Sequence, residues 1–224
     1  MRDMDIDKKR IGLPARLFRL IIGLFLYSVG IVFTLKAQVG FAPWDVLHVG
    51  LAKTTGSTIG LMSILVGVLL VAVSLALGEK IGLGTLLNMV LIGVFLDMIL
   101  YLDIVPAAEH FVTGVGMLFF GLMIISVASY FYIGAGLGAG PRDSLMVALA
   151  RKTKLPIGFC RGLIEILAVA IGWKLGGMVG IGTVIAAVMI GFCIQFTFWT
   201  LKFDAKKIRH RSLLNLKDDI YGTM

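Results

Sequence analysis

Apolar residues run along this chain in six long blocks, near residues 13–37, 58–78, 84–102, 112–136, 157–175 and 183–201, separated by short polar or glycine-rich breaks. Each is close to the ~20 residues an α-helix needs to cross the hydrocarbon core of a bilayer, so each reads as a membrane-spanning helix. Two shorter blocks, near 44–54 and 142–152, open on Pro43-Trp44-Asp45 and Pro141-Arg142-Asp143. Proline suits the first turn of a helix because its missing N–H would be unpaired there, and an acid in that turn complements the helix dipole. At ~1.5 Å per residue such a block covers ~16 Å, about half a bilayer. These are half-helices that re-enter the membrane or lie along its surface. Val46, Leu47, Val49 and Leu51 leave little polar face beyond His48 and Lys53, which favours re-entry.

The pattern occurs twice. Residues 40–97 align without a gap on 138–195, at an offset of 98, with 22 of 58 positions identical. Gly40, Pro43, Asp45, Gly60 and Gly93 recur as Gly138, Pro141, Asp143, Gly158 and Gly191. Paired repeats, each with an interrupted apolar segment, mark the substrate path of many transporters. Charge sets the orientation. Arg2, Lys8, Lys9 and Arg10 crowd one end, and Lys202, Lys206, Lys207, Arg209, Arg211 and Lys217 the other. The break at 103–109 holds acids and no Lys or Arg, whereas 151–154 is basic. By the positive-inside rule both termini are cytoplasmic and the acidic break is outside. An odd number of spans per repeat satisfies this and inverts the second copy. Counting the half-helices as spans would give parallel repeats, with the acidic break inside.

The predicted fold is therefore an all-α membrane protein: six transmembrane helices as two inverted three-helix repeats, each with a short half-helix. The divisions are a basic cytoplasmic tail at 1–12, one repeat at 13–103, the second at 112–201, and a basic cytoplasmic tail at 202–224. Composition agrees, since 58% of residues are hydrophobic and 15% charged, with mean hydropathy +0.98. A soluble domain could not cover that apolar surface with so few charges. The net charge of +8 sits mostly at the ends, so it speaks for the lipid bilayer as partner and against nucleic acid. The first block is too long for a signal peptide and reads as a retained span. Cys160 and Cys193 lie in apolar segments as small core residues. No metal spacing, nucleophilic triad or phosphate loop appears, so no catalytic residue, metal, cofactor or enzymatic activity is assigned.

Candidate functional residues follow from the repeat. If the half-helices re-enter from opposite faces, their starts, at Gly40 and Pro43 and at Gly138, Gly140 and Pro141, meet near the midplane. Their free N–H groups would suit an anionic or strongly polar group. Asp45 and Asp143 would sit there, as caps or as substrate contacts. Arg142 replaces Trp44 and either pairs with a neighbouring acid or faces the cytoplasm. Polar residues found in one copy only are not required by the shared fold. They are Glu165 against Gly67, Arg161 against Ser63, His48 against Met146, Asn88 against Ala186 and Asp97 against Gln195. Ionisable groups inside spans usually face a cavity or a partner. Glu165 lies ~13 Å into its span and shares a helix face with Arg161, four residues away. The two neutralise each other, or Glu165 serves a substrate or a proton. The breaks Gly82-Leu83-Gly84-Thr85 and Gly180-Ile181-Gly182-Thr183 predict tight turns, with each Thr as N-cap of the next span.

Gly-Phe-Ala-Pro-Trp-Asp at 40–45, Gly-Ala-Gly-Pro-Arg-Asp at 138–143, Ile-Glu at 164–165, Gly-Trp at 172–173 and Gly-Ile-Gly-Thr at 180–183 together resemble the bacterial YczE-like integral membrane proteins, relatives of the YitT-like group. The resemblance spans about residues 15–200. It implies a bacterial inner-membrane protein of duplicated units. It also implies a link to transport and, through association with pyridoxal-phosphate-binding regulators, to vitamin B6-related cargo. The expectation is a small-molecule transporter with a midplane site between inverted repeats. The alternatives are a channel for a small polar solute and a non-transporting accessory membrane protein; homo-oligomerisation stays open.

Overall fold

The computed structural model describes residues 12–205. The two basic tails lie almost wholly outside the described residues. The described chain is all-helical: α1 (Leu13–Lys36), α2 (Pro43–Thr55), α3 (Ile59–Ala76), α4 (Leu83–Leu102), α5 (Phe111–Gly134), α6 (Pro141–Thr153), α7 (Ile157–Lys174) and α8 (Ile181–Thr200). Every helix of the first half has a counterpart in the second, shifted by 98 residues at both ends. The short helices α2 and α6 each hold 13 residues, one more at either end than the sequence suggests, because Pro43 and Pro141 are themselves helical. Each spans ~20 Å, too little to cross a bilayer.

Five helices, α1, α3, α4, α5 and α8, are long and apolar enough to cross a membrane. The sixth expected span, α7, matches α3 in length at 18 residues but carries Arg161, Glu165 and Lys174. Its outward face is nonetheless apolar, with Phe159, Leu163, Ile166 and Trp173 exposed.

The most extensive helix pairing is between α1 and α5, and it is antiparallel. Arg16, at the start of α1, donates to the carbonyls of Ala135 (2.8 Å) and Gly136 (2.9 Å), just past the end of α5. Further along, Gly30 lies against Gly121, and Gly114 against Ala37. A Cβ on Gly30 or Gly121 would fall 2.8 Å from the other's carbonyl oxygen, so glycine sets how closely these helices approach.

The halves also exchange their connecting segments. The Gly182 N–H donates to Val39 O at 2.7 Å and Phe41 N–H to Met178 O at 3.1 Å, so the stretch entering α2 docks on the α7–α8 break. The Gly84 N–H donates to Leu137 O at 2.7 Å, docking the entry to α6 on the α3–α4 break. Gly40 (φ +115°) and Gly138 (φ +136°) make these approaches possible. A Cβ on Gly40 would fall 2.7 Å from Gly180 N, and one on Gly138 2.8 Å from Thr85 Oγ1. This docking also corrects the capping expectation. The N-caps are Gly82 and Gly180, and Thr85 and Thr183 are the third residues of their helices. Thr183 Oγ1 accepts from the Gly180 N–H at 3.1 Å, whereas the Thr85 hydroxyl donates to Ala139 O in the other half.

The far ends of the short helices are strapped likewise. Lys53 donates to Gly176 O (2.9 Å) beyond α7, and Arg151 to Leu77 O (3.1 Å) beyond α3. These equivalent basic side chains satisfy carbonyls at helix C-termini, where a positive charge is favoured. Each short helix therefore packs on a long helix of the opposite half.

One pairing is not duplicated. In the first half α3 packs on α4, and a Cβ on Gly60 would overlap the Gly93 carbonyl. In the second half a Cβ on Gly158, Gly162 or Gly191 would have nothing within 4 Å, and α7 stands away from α8.

Candidate functional site

The starts of α2 and α6 come together. The Arg142 guanidinium, from the first turn of α6, lies over the Trp44 ring, from the first turn of α2, at 4.7 Å from its centroid. The expected pairing of Arg142 with a neighbouring acid is not made. Among the described residues no carboxylate lies within ion-pair distance of it, and it reaches across to the other half instead. A guanidinium over an indole gains from the ring quadrupole, most of all where water is scarce.

Two cavities flank this contact, of about 90 and about 80 Å³. Tyr27, Ile31 and Arg142 line both. They are repeat equivalents of each other. The first is lined by Pro141, Asp143, Ser63, Gly67, Asn88 and Ile92. The second is lined by the residues at the matching positions: Pro43, Asp45, Arg161, Glu165, Ala186 and Ile190. The duplication thus builds two equivalent hollows, each lined by both halves, and single-copy residues give them different chemistry.

In the first cavity the Tyr132 hydroxyl donates to Asp143 Oδ2 at 2.9 Å. His48 also lines it, from α2, with Nδ1 at 3.7 Å from Asp45 Oδ1, beyond hydrogen-bond reach. His48 and Asp45 are both buried, at 2% and 4% exposure. Asn88, Ser63 and Arg142 have no hydrogen bond to protein among the described residues. In the second cavity Arg161 Nε donates to Glu165 Oε1 at 2.9 Å, and Asp45 and Arg142 line it as well. The expectation that these two share a helix face is met. Among the described residues no three His, Cys, Asp or Glu side chains could hold a metal ion.

Asp97 is the sequence candidate that lies elsewhere. Its carboxylate takes the Gly60 N–H at 2.7 Å and the Thr58 hydroxyl at the start of α3. The unpaired N–H groups of that first turn claim the acid and tie α4 to α3. Pairwise comparison of the copies singled out Asp97 but could not show which backbone it would meet. Conversely, Trp44, Tyr27 and Tyr132 were not singled out. Trp44 stands opposite Arg142 in the alignment, and that swap of an aromatic for a cation was the available signal.

A family model described as a family of unknown function, DUF6198, matches residues 14–198. The chain belongs to that family. It is 36% identical over 177 residues to the uncharacterized membrane protein YczE of Bacillus subtilis (strain 168), covering 78% of this chain and 81% of that one. An uncharacterized protein of Haemophilus influenzae is 34% identical over 79% of this chain and 80% of its own length. The uncharacterized protein YyaS of Bacillus subtilis is 29% identical over 78% and 88%. No solved structure matches the chain. The YczE likeness read from the motifs thus holds along most of the sequence. With five helices able to cross a bilayer, this DUF6198 member is a multi-pass membrane protein.

Proposed function

We propose that this protein is a small-molecule transporter of the bacterial inner membrane, with its site where the starts of α2 and α6 meet. In this reading α7 is the sixth span, α2 and α6 re-enter from opposite faces, and the halves are inverted three-span repeats with both termini cytoplasmic. The protein performs no chemistry on what it carries. The observation that carries the reading is the contact of Arg142 with Trp44, flanked by two repeat-equivalent hollows between the halves. The antiparallel pairing of the equivalent helices α1 and α5 supports inversion. Broken backbone at membrane depth is tolerated where it lines a cavity, and helix starts there favour polar and anionic groups.

The test is reconstitution of the purified protein into liposomes with a panel of small polar solutes. Saturable uptake with counterflow is the expected result. Uptake that never saturates would mark a channel, and inert liposomes across the panel would mark an accessory protein. Arg142→Gln is expected to fold and to abolish uptake.

A further inference from the structure

Arg142 and Asp143 are neighbours in sequence and opposite in charge, and both line the first cavity, yet they do not pair with each other. Separate partners hold them apart. The guanidinium rests on Trp44, and the carboxylate is held by the Tyr132 hydroxyl. Neither has an ion-pair partner among the described residues. The Tyr132 bond uses Asp143 Oδ2 and leaves Oδ1 without a protein donor. In the same cavity, Asn88 and Ser63 keep unspent hydrogen-bonding capacity. The matching cavity shares Arg142 and has Asp45 in place of Asp143, but where the first has Ser63 and Gly67 it has Arg161 and Glu165, a charged pair bonded to each other that takes up the room and the polar capacity.

From this we infer that the first cavity binds a small zwitterion, with its anionic group on Arg142 and its cationic group on Asp143. The inference deepens the transporter reading and rests on it for the site's location. Charge balance selects the class. The cavity is lined by one arginine and one carboxylate, together with His48. A lone anion would leave Asp143 unanswered and bring net charge into a low-dielectric site, and a lone cation would do the same to Arg142. Both carry the penalty of an uncompensated charge in the membrane. A dipolar ligand satisfies both residues and adds no net charge. Size selects further. A cavity of about 150 Å³ takes a benzene, so about 90 Å³ calls for a compact ligand. Asn88 and Ser63 would meet its polar middle.

The experiment is a thermal-shift titration of the detergent-purified full chain. β-Alanine, taurine and phosphoethanolamine are the zwitterions, and propionate and propylamine the matched single charges. At least one zwitterion is expected to raise the melting temperature saturably, with the single-charge compounds weaker by about tenfold or more. Arg142→Gln and Asp143→Asn are each expected to remove the shift while melting near the parent without ligand, because Tyr132 can still donate to an asparagine oxygen. Arg142→Lys keeps the charge and is expected to retain part of the shift. Propionate acting as well as β-alanine and surviving Asp143→Asn would overturn the zwitterion in favour of a plain anion site. So would a panel in which no zwitterion shifts the protein. Zwitterion binding without uptake in liposomes would sink transport and leave the ligand class standing. Uptake of simple anions alone would do the reverse.

Discussion

The helix pairs α3–α4 and α7–α8 begin from the same plan and end in different places. Both have a glycine near the start of the first helix, Gly60 or Gly158, and one midway along the second, Gly93 or Gly191. In the first half these glycines meet backbone to backbone. In the second they face open space. Glycine permits close approach, but the comparison teaches that it does not compel it. The polar tie is the difference. Asp97 gathers the Thr58 hydroxyl and the Gly60 N–H and locks α3 to α4. The matching positions hold Gln195 and Pro156, and no bond joins them. Freed from α8, α7 leans on α2, where a Cβ on Gly172 would collide with the backbone of Val46 and Leu47. Arg161 and Glu165 are left facing a hollow.

The comparison breaks most sharply at the glycines. Gly60→Leu is expected to cost about 3 kcal/mol through overpacking against Gly93. Gly158→Leu is expected to stay within about 0.5 kcal/mol, the range of open surface sites. Thermal melts in one detergent compare the two directly. Equal losses would mean that α7 and α8 are closed in solution.

Next in size is the tie itself. Asp97→Ala strips the start of α3 of its acceptor and is expected to cost about 1–2 kcal/mol, as lost helix caps do. Gln195→Ala is expected to leave the melting temperature unchanged.

The cavities differ through Arg161 and Glu165, and giving the second cavity the residues of the first tests what that difference does. The double change Arg161→Ser with Glu165→Gly is expected to shift stability by less than about 1 kcal/mol, because both partners leave together. Removing Glu165 alone strands Arg161 and is expected to cost more. If Glu165 serves transport, the double variant folds and stays inactive in liposomes. Full uptake by that variant would reduce the pair to mutual neutralisation. The last expected effect has the opposite sign. Gly162→Ala is expected to stabilise by about 0.5–1 kcal/mol, since nothing lies within 4 Å of the added methyl and alanine favours helix.

The helices were legible in the sequence because apolar length and proline-led starts are local signals. The bounds repeat at 98 residues, as the alignment implied. The chemistry of single-copy residues was legible only in part. Comparing the copies picked out Arg161, Glu165, Asn88 and His48, and all four line a cavity. It also picked out Asp97, which the backbone of α3 claims. The crossing of segments between halves, the Arg142–Trp44 contact and the Tyr132–Asp143 bond join residues far apart in chain or side-chain groups whose partners depend on rotamers. Periodicity carries no trace of such contacts. The threonines at 85 and 183 were misread as N-caps for a related reason. Local spacing fits a cap, but a glycine already occupies that position and the loop of the other half arrives beside it.

The account rests on the starts of α2 and α6 meeting inside the membrane. The most direct measurement is a crosslink between cysteines at Trp44 and Arg142, in a background where Cys160 and Cys193 are serine, using a short bifunctional thiol reagent in native membranes. The account predicts an efficient intramolecular crosslink and poor labelling of either single cysteine by a bulky, water-soluble maleimide. No crosslink, with ready labelling of the two single cysteines from opposite sides, would place the half-helices at the two membrane surfaces and contradict it.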